Sequence, residues 1–136
     1  MGANVEISYK INELITAEEL SNVFEASGIK RPYQDLKRLE CMIEHSNILI
    51  TAWDKDLLIG VARALTDYSY CCYLSDLAVN KNYQYNGIGK ELVKLLQEHI
   101  GEEVSLLLLS SPTAMQFYPK IGFEKIENGF KIPRKK

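Results

Sequence analysis

Early in the chain, hydrophobic residues first recur at every second position and then at every third or fourth position. Apolar and polar residues alternate at the start, which predicts a half-buried first strand through Val5, Ile7 and Tyr9. Thr16 and Glu19 have the spacing of a capping box, and the helical pattern that follows ends near Gly28. Pro32 is suited to the first turn of a second helix. The sequence therefore predicts one strand followed by two helices.

The rest of the chain predicts mostly strands joined by one long helix. In chain order, the pattern predicts strands over 48–53, 57–65 and 71–79, a helix over 87–100, a strand over 104–109, a helix from Pro112 to about Lys120, and a closing strand over 123–130. The run at 104–109 is almost continuously apolar, which is typical of a strand covered on both faces. Strand, helix and strand between 71 and 109 predict a right-handed βαβ unit. We expect one three-layer α/β domain over residues 1–136 with a mixed sheet.

Composition excludes several classes of protein. The chain has 136 residues, enough for one domain, and its net charge of −2 argues against a nucleic-acid binder. Its apolar runs fall short of the ~20 residues that span a bilayer, and its first residues lack a signal-peptide pattern. Cysteines number three, and Cys71 and Cys72 are adjacent, so neither disulfides nor a metal site is indicated. We expect a cytoplasmic protein with free thiols, no metal and no membrane association.

Two glycines mark the change from the strand at 71–79 to the long helix. The first amides of a helix lack intrahelical partners and carry the positive end of its dipole. Gly87 and Gly89 have no side chains, so a diphosphate could approach those amides closely. The pattern differs from the common nucleotide loops, because Lys90 is followed by Glu91 instead of a hydroxyl residue and no third glycine follows. On spacing alone, glycines that merely allow a tight turn remain an equal alternative.

Two sequence blocks resemble signatures of the GNAT superfamily of acyl-CoA-dependent N-acetyltransferases. The first is Gln84-x-x-Gly87-x-Gly89, similar to R/Q-x-x-G-x-G/A, and the second is Ala114-x-x-Phe117-Tyr118-x-x-x-Gly122-Phe123, similar to A-x-x-F-Y-x-x-x-G-F. The resemblance covers roughly residues 48–130. It implies an α/β/α fold with a mixed, mostly antiparallel sheet, in which the fourth and fifth strands splay apart to admit coenzyme A.

The resemblance also implies which residues bind acetyl-CoA as co-substrate. The loop amides would bind the diphosphate, and the backbone of the fourth strand would pair with the pantetheine arm. The residues assigned to the coenzyme in this way are Leu77, Ala78, Val79, Gln84, Tyr85, Asn86, Gly87, Ile88, Gly89, Lys90, Ser111, Ala114 and Phe117. Ser111 stands where many members carry asparagine, so its contact with the coenzyme would differ in detail.

Two residues are candidates for proton transfer. In the family, a tyrosine at the position of Tyr118 donates a proton to the departing coenzyme A thiolate; without that context the residue predicts only a packing aromatic. An ammonium substrate must first lose a proton, and Asp76, a charge within an apolar strand, is the candidate base, acting directly or through water. The alternative for Asp76 is a structural carboxylate paired with backbone or with Arg63, and the sequence leaves both open.

The acceptor site is less defined by sequence. We expect it between the loop at 27–34 and the hairpin tip at 66–70, with the candidate lining residues Arg31, Tyr33, Tyr68 and Tyr70. The function implied by the resemblance is acetyl transfer to a primary amine, with a small molecule favoured, by direct attack in a ternary complex. A non-catalytic acyl-CoA-binding regulatory domain and a protein or peptide N-acetyltransferase are the alternatives. A homodimer is common in the family and is possible here.

Overall fold

The computed structural model describes residues 6–84 and 86–136, so Val5 and Tyr85 lie outside the described residues. The strands are β1 (Ile7–Ile11), β2 (Ile48–Asp54), β3 (Leu57–Thr66), β4 (Cys71–Val79) and β5 (Ser105–Leu108). The helices are α1 (Ala17–Ser27), α2 (Leu36–Glu44), α3 (Ile88–Ile100) and α4 (Phe117–Lys120), with 3-10 turns at Lys81–Tyr83 and Pro112–Ala114. No helix within these described ranges is long and apolar enough to cross a membrane.

The five strands form one mixed sheet in the order β1-β2-β3-β4-β5. Neighbouring strands are antiparallel except β4 and β5, which are parallel, as predicted for the βαβ unit. The pairing of β4 with β5 runs from Cys71 opposite Ser105 to Leu74 opposite Leu108 and ends there. Residues 75–79 of β4 keep β3 as a neighbour on one side only. The two parallel strands therefore separate halfway along β4, as the expected splay requires.

Helices cover both faces of the sheet and produce two hydrophobic cores. On one face, α3 packs its buried Leu92 and Leu96 against alternate residues of β2, such as Ile48 and Ile50. On the other face, α1 and α2 pack against the opposite set of strand residues, which includes Leu49. Side chains that alternate between the faces of a strand require cover on both sides. The predicted three-layer α/β/α architecture is confirmed.

The beginning of α1 follows the sequence prediction. The Glu19 amide donates to the Thr16 hydroxyl at 3.0 Å, and the Thr16 amide donates to the Glu19 carboxylate at 3.0 Å, which completes a capping box. Gly28 ends the helix in the left-handed conformation, with φ 78°. The chain turns directly from Gly28 into the loop that carries Arg31.

The prediction that Pro32 lies in the first turn of α2 is wrong. The helix begins at Leu36, and the carboxylate of Asp35 caps it by accepting a hydrogen bond from the Arg38 amide at 3.1 Å. Pro32 instead belongs to a preceding turn, in which its carbonyl accepts from the Asp35 amide at 3.0 Å. An aspartate that satisfies a free helical amide is a stronger start signal than proline. The loop between the two helices is consequently longer than predicted.

The C-terminal third differs most from the sequence prediction. Strand β5 is shorter than predicted and lies at the edge of the sheet, where Leu107 is 45% exposed, so it is not covered on both faces. The helix expected from Pro112 to Lys120 is broken into a 3-10 turn and the four-residue α4. Residues 123–130 form no strand. The physical reason is that the apolar side chains of this segment are not buried against the sheet, since Ile126 is 50% and Phe130 is 99% exposed, so the pattern lacks the packing that stabilises a strand.

Candidate functional site

Polar side chains fix the loop that follows β4. The Asn80 amide donates to the Ile59 carbonyl of β3 at 2.8 Å, so the loop starts at the end of the ladder. Gln84 then reaches back, and its side-chain amide donates to the Val79 carbonyl at 3.1 Å. The side-chain amide of Asn86 donates to the Tyr83 carbonyl at 3.0 Å. These contacts give the loop a defined path from the strand into α3.

Within residues 6–84 and 86–136, no side chain accepts a hydrogen bond from the first amides of α3. Gly87 is its N-cap residue in the left-handed conformation, with φ 75°, and makes no side-chain capping bond. The first helical hydrogen bond runs from the Glu91 amide to the Gly87 carbonyl at 3.0 Å. The preceding amides, those of Ile88, Gly89 and Lys90, therefore have no intrahelical partner. This is the arrangement that can receive an anion.

Gly89 is the point where the two sequence blocks meet. A Cβ atom added to Gly89 would lie 3.3 Å from Cζ of Phe117 and 4.0 Å from Cδ2 of Leu77. The first turn of α3, the aromatic of the second block and the separating half of β4 are therefore neighbours. Farther along, Ser111 is exposed, its carbonyl accepts from the Ala114 amide at 3.1 Å, and Ala114 is partly buried. Of the sequence-predicted coenzyme residues, Gly89, Phe117 and Leu77 are thus brought together beside the part of β4 that no longer pairs with β5.

Tyr118 lies half-buried beside two other aromatic rings. Its ring packs edge-on to Phe117, with centroids 5.1 Å apart, and to Phe123, with centroids 5.4 Å apart. Burial raises the pKa of the Tyr118 phenol above its ordinary value of 10.0, while the positive charge of Arg31 lowers that pKa in part. The hydroxyl consequently stays protonated at neutral pH, as a proton donor must.

Asp76 lies between two arginines. Its side chain is fully buried, and its two oxygens accept hydrogen bonds of 2.5 Å from Nε of Arg31 and from Nε of Arg63. The pairing with Arg63, left open from the sequence, is present in the structure, and Arg31 is a second partner that the sequence did not predict. We call these three residues the Asp76 cluster.

The Asp76 cluster is tied to the sheet by further hydrogen bonds. Arg63 donates to the Ser46 hydroxyl at 3.0 Å and to the Ser75 hydroxyl at 2.9 Å. Arg31 donates to the Ser75 carbonyl at 2.8 Å. Ser75 is the first residue of β4 beyond its pairing with β5. The sequence analysis did not identify either serine as a partner in this cluster. The Arg63–Asp76 pair was indicated by one charged residue within each of two neighbouring apolar strands. Nothing in the sequence indicated that Arg31 pairs with Asp76.

The tyrosines expected at the acceptor site have separate locations. Tyr33 is partly buried and packs against the core formed by α1 and α2. The Tyr68 hydroxyl lies 3.1 Å from Nε2 of His99, near the end of α3, and Tyr70 is 78% exposed. Of the four expected lining residues, the structure brings Arg31 to the Asp76 cluster.

Metal and thiol chemistry have little support in the part of the chain that the structure describes. Within residues 6–84 and 86–136, no group of three or more His, Cys, Asp and Glu side chains could hold a metal ion. The cysteines there are free: Cys41 and Cys71 are exposed and Cys72 is buried. Burial raises the pKa of the Cys72 thiol, which disfavours the thiolate.

Comparison with known proteins agrees with this geometry. Residues 15–132 match the family described as acetyltransferase (GNAT) domain. The uncharacterized N-acetyltransferase ycf52 of Pyropia yezoensis is 30% identical over 133 residues, covering 93% of this chain and 75% of that protein. A GNAT-family acetyltransferase structure from Streptococcus pneumoniae has a TM-score of 0.73 at 26% identity, covering 95% of this chain and 99% of that one. An aminoglycoside N-acetyltransferase solved in complex with CoA shares the fold, with a TM-score of 0.72 at 15% identity over 99% of each chain. The protein belongs to the GNAT family and is an acetyltransferase.

Proposed function

We propose that the protein transfers an acetyl group from acetyl-CoA to a primary amine, with a small molecule as the favoured acceptor, by direct attack in a ternary complex. The observation that carries this proposal is the meeting of Gly89, Phe117 and Leu77 beside the half of β4 that has left β5. A ligand with a diphosphate and an extended amide-bearing arm fits such a site, because helix amides and an unpaired strand edge recognise these two chemical groups.

The coenzyme would bind mainly through backbone. The amides that begin α3 take the diphosphate, with Gly87 and Gly89 leaving room for it. The pantetheine arm lies along residues 75–79, where β4 does not pair with β5. Within this stretch, the side chain of Leu77 lies near Gly89. Gln84 supports this end of the strand through its bond to the Val79 carbonyl. The remaining expected contacts, those of Ser111 and Ala114, are from the chain that follows β5.

The reaction needs one proton donor and one proton acceptor. The amine nitrogen attacks the thioester carbonyl carbon, the carbon–sulfur bond breaks, and the thiolate takes a proton from Tyr118. The raised pKa of Tyr118 supports this role, since the phenol is protonated at the pH of the reaction. Asp76 stays a candidate for taking the proton of the amine through water. Its two arginine partners favour the structural alternative for this residue.

Gly87 and Gly101 provide a matched pair for testing the coenzyme site. They flank the same helix with φ 75° and φ 83°, and an added Cβ would meet nothing within 4 Å at either position. Alanine at Gly87, which has ψ 11°, costs about 1–2 kcal/mol of backbone strain. Gly101 has ψ −178°, a conformation essentially restricted to glycine, so alanine there costs at least as much and controls for a loss of stability. We expect Gly87→Ala to raise the acetyl-CoA Kd about tenfold, or about 1.4 kcal/mol, in isothermal calorimetry. Gly101→Ala should leave it unchanged. Equal Kd values for both variants, or no binding by the wild type, would contradict the coenzyme site.

An acetyl-CoA consumption assay separates the remaining alternatives. Turnover with small amines, amino sugars or polyamines supports the proposal. Binding of acetyl-CoA without turnover on any acceptor would indicate the regulatory domain, and turnover on peptides alone would indicate a protein N-acetyltransferase. The homodimer, the cytoplasmic location and the lack of nucleic-acid or membrane partners stay predictions for sizing, localisation and binding measurements.

A further inference from the structure

The Asp76 cluster carries an excess of positive charge. It contains the two positively charged guanidinium groups of Arg31 and Arg63 but only the one negatively charged carboxylate of Asp76. The net charge of the cluster is therefore +1. The side chain of Arg63 is 9% exposed and that of Asp76 is 0% exposed, whereas the side chain of Arg31 is 30% exposed. The part of the cluster that a ligand can reach is therefore the side chain of Arg31.

Arg31 has hydrogen-bonding capacity left for a ligand. A guanidinium has five N–H groups. Nε donates to Asp76, one terminal nitrogen donates to the Lys30 carbonyl at 2.6 Å, and the other donates to the Ser75 carbonyl at 2.8 Å. Within the described ranges, each terminal nitrogen thus keeps one N–H that donates to no protein acceptor. Two such N–H groups on one planar fork match the two oxygens of a carboxylate.

The position of Arg31 connects its side chain to the reaction. Its bond to Ser75 holds it where β4 separates from β5, which is where the coenzyme arm would end. Tyr118 follows Phe117, which lies beside Gly89 and Leu77 at the same half of β4, and the positive charge of Arg31 partly lowers the pKa of the Tyr118 phenol. An acceptor whose amine reaches a thioester at this half of β4 would therefore approach Arg31 as well.

The surrounding loop adds to the positive charge. Residues 28–38 contain four Lys or Arg residues and one Asp, in a chain whose net charge is −2. That Asp, Asp35, already caps α2. From the end of β4, Lys81 Nζ comes within 3.0 Å of the place a Cβ on Gly28 would occupy, which brings a further cation to this loop. A polycationic acceptor would be repelled here, and an acceptor with a negative group would be attracted.

We propose that Arg31 binds a carboxylate of the acceptor, so that the substrate class is a primary amine with a carboxylate near the amino group, such as a free amino acid. This inference rests on the proposed acetyl transfer and names the acceptor for the same site. The carboxylate receives two charge-assisted hydrogen bonds from the outer edge of Arg31, while Asp76 and Ser75 fix the inner edge. Polyamines are poor acceptors for the same electrostatic reason.

Acceptors that differ only in the carboxylate test this directly. We would measure acetyl transfer to a set of amino acids, to the corresponding amino-acid amides and to a polyamine, with the wild type, Arg31→Gln and Arg31→Lys. Lys30→Gln is the matched control, because it removes one positive charge from the adjacent exposed residue. We expect the wild type to prefer the acids, and Arg31→Gln to raise KM for the acids by about tenfold to a hundredfold. KM for the amides and the acetyl-CoA Kd should not change.

The remaining outcomes separate this inference from the proposed function. Arg31→Lys should restore part of the preference, since it keeps the charge and loses the fork. If the wild type acetylates amides or polyamines as well as acids, or if Arg31→Gln affects acids and amides equally, the carboxylate site is wrong and the acetyltransferase stands. If acetyl-CoA binds but no acceptor is acetylated, the proposed function and this inference both fail.

Discussion

The proposed coenzyme side and the proposed acceptor side of β4 are built in different ways. The coenzyme side comes largely from one continuous stretch, in which β4, a 3-10 turn and the start of α3 follow each other, and it offers backbone amides beside Gly87 and Gly89. The acceptor side is assembled from the loop that carries Arg31 and from the neighbouring strands β3 and β4, which carry Arg63 and Asp76. A site of backbone amides depends on local conformation, whereas a buried charge cluster depends on all its members at once. The two sides should therefore respond differently to substitution.

The largest effect is expected for Asp76→Ala, which removes the only carboxylate of the Asp76 cluster. Arg63 would then be a buried charge without its partner, and Arg31 would lose its anchor. Breaking a buried ion pair from one side costs about 3–5 kcal/mol, and we expect a loss of that size in the free energy of unfolding measured with urea. Asp56→Ala, at an exposed turn residue, is the control and should change stability by less than about 0.5 kcal/mol.

Stability and catalysis can be separated at Asp76. A loss below about 1 kcal/mol in Asp76→Ala would contradict the view of the cluster as an interdependent unit. Asp76→Asn, assayed at a temperature where it is folded, tests the proton relay. Loss of turnover with a changed pH–rate profile would support Asp76 as the base. An unchanged profile and turnover would leave it with the structural role alone.

A smaller effect, on rate alone, is expected for Tyr118→Phe. This variant keeps the ring that packs between Phe117 and Phe123 and removes the hydroxyl. We expect kcat to fall about a hundredfold, with the acetyl-CoA Kd unchanged. Tyr70→Phe, at a residue 78% exposed, is the control. An unaffected kcat would favour the packing interpretation of Tyr118.

The direction of the Tyr118 pKa shift gives the same experiment a pH dependence. Burial raises the pKa above 10.0, so the donor is lost only when pH rises through that raised value. In the wild type, kcat should therefore show no decline from loss of this proton below about pH 10. Any bell-shaped profile at lower pH would report other groups, and Tyr118→Phe should keep the shape of that profile while lowering its height.

The strand and helix that form the proposed coenzyme side could be predicted from the sequence because their signals are local. Strand β4 begins and ends where its pattern predicted, and on the other face of the sheet the equally local capping box of Thr16 and Glu19 was confirmed. The helix after Gly87 and the parallel strand beyond it follow from the change of hydrophobic period and the handedness of βαβ units. Hydrophobic periodicity and the positions of glycines depend only on residues that are close together in the chain. They can therefore be recognised in a single sequence.

The acceptor side could not be predicted in the same detail. Arg31 is a loop residue, and its partner on β4 is 45 positions away, a distance over which hydrophobic periodicity gives no information. The segment after α4 was wrongly predicted as a strand, because its apolar pattern fits one although Ile126 and Phe130 are exposed. The start of α2 was missed because Asp35, not Pro32, supplies the cap. Each of these depends on a specific contact and not on a pattern.

Asp67 provides the smallest and most local test, as a counterpart to Asp76. It lies in the turn between β3 and β4, and one of its oxygens accepts from the amides of Ser69 at 2.9 Å, Tyr70 at 2.8 Å and Cys71 at 3.0 Å. These hydrogen bonds, that of Tyr70 first, lower the pKa of the Asp67 carboxyl from 3.8 to about 2. One carboxylate is thus held by neighbouring backbone, and the other by one arginine from the adjacent strand and one from a distant loop.

The lowered pKa fixes the sign of the pH dependence at this turn. A carboxyl whose pKa is lower in the folded than in the unfolded state stabilises the fold above about pH 4, and that contribution is lost as pH falls towards about 2. Asp67→Asn keeps an acceptor oxygen but has no proton to gain. We expect the wild type to be the more stable at neutral pH, and the difference in unfolding free energy to shrink as the solution is acidified. Urea unfolding of both proteins across the acid range measures this. A difference that stays constant with pH would show that the hydrogen bonds of the turn do not depend on the charge of Asp67. Asp67 and Asp76 would then differ only in how far along the chain their partners lie.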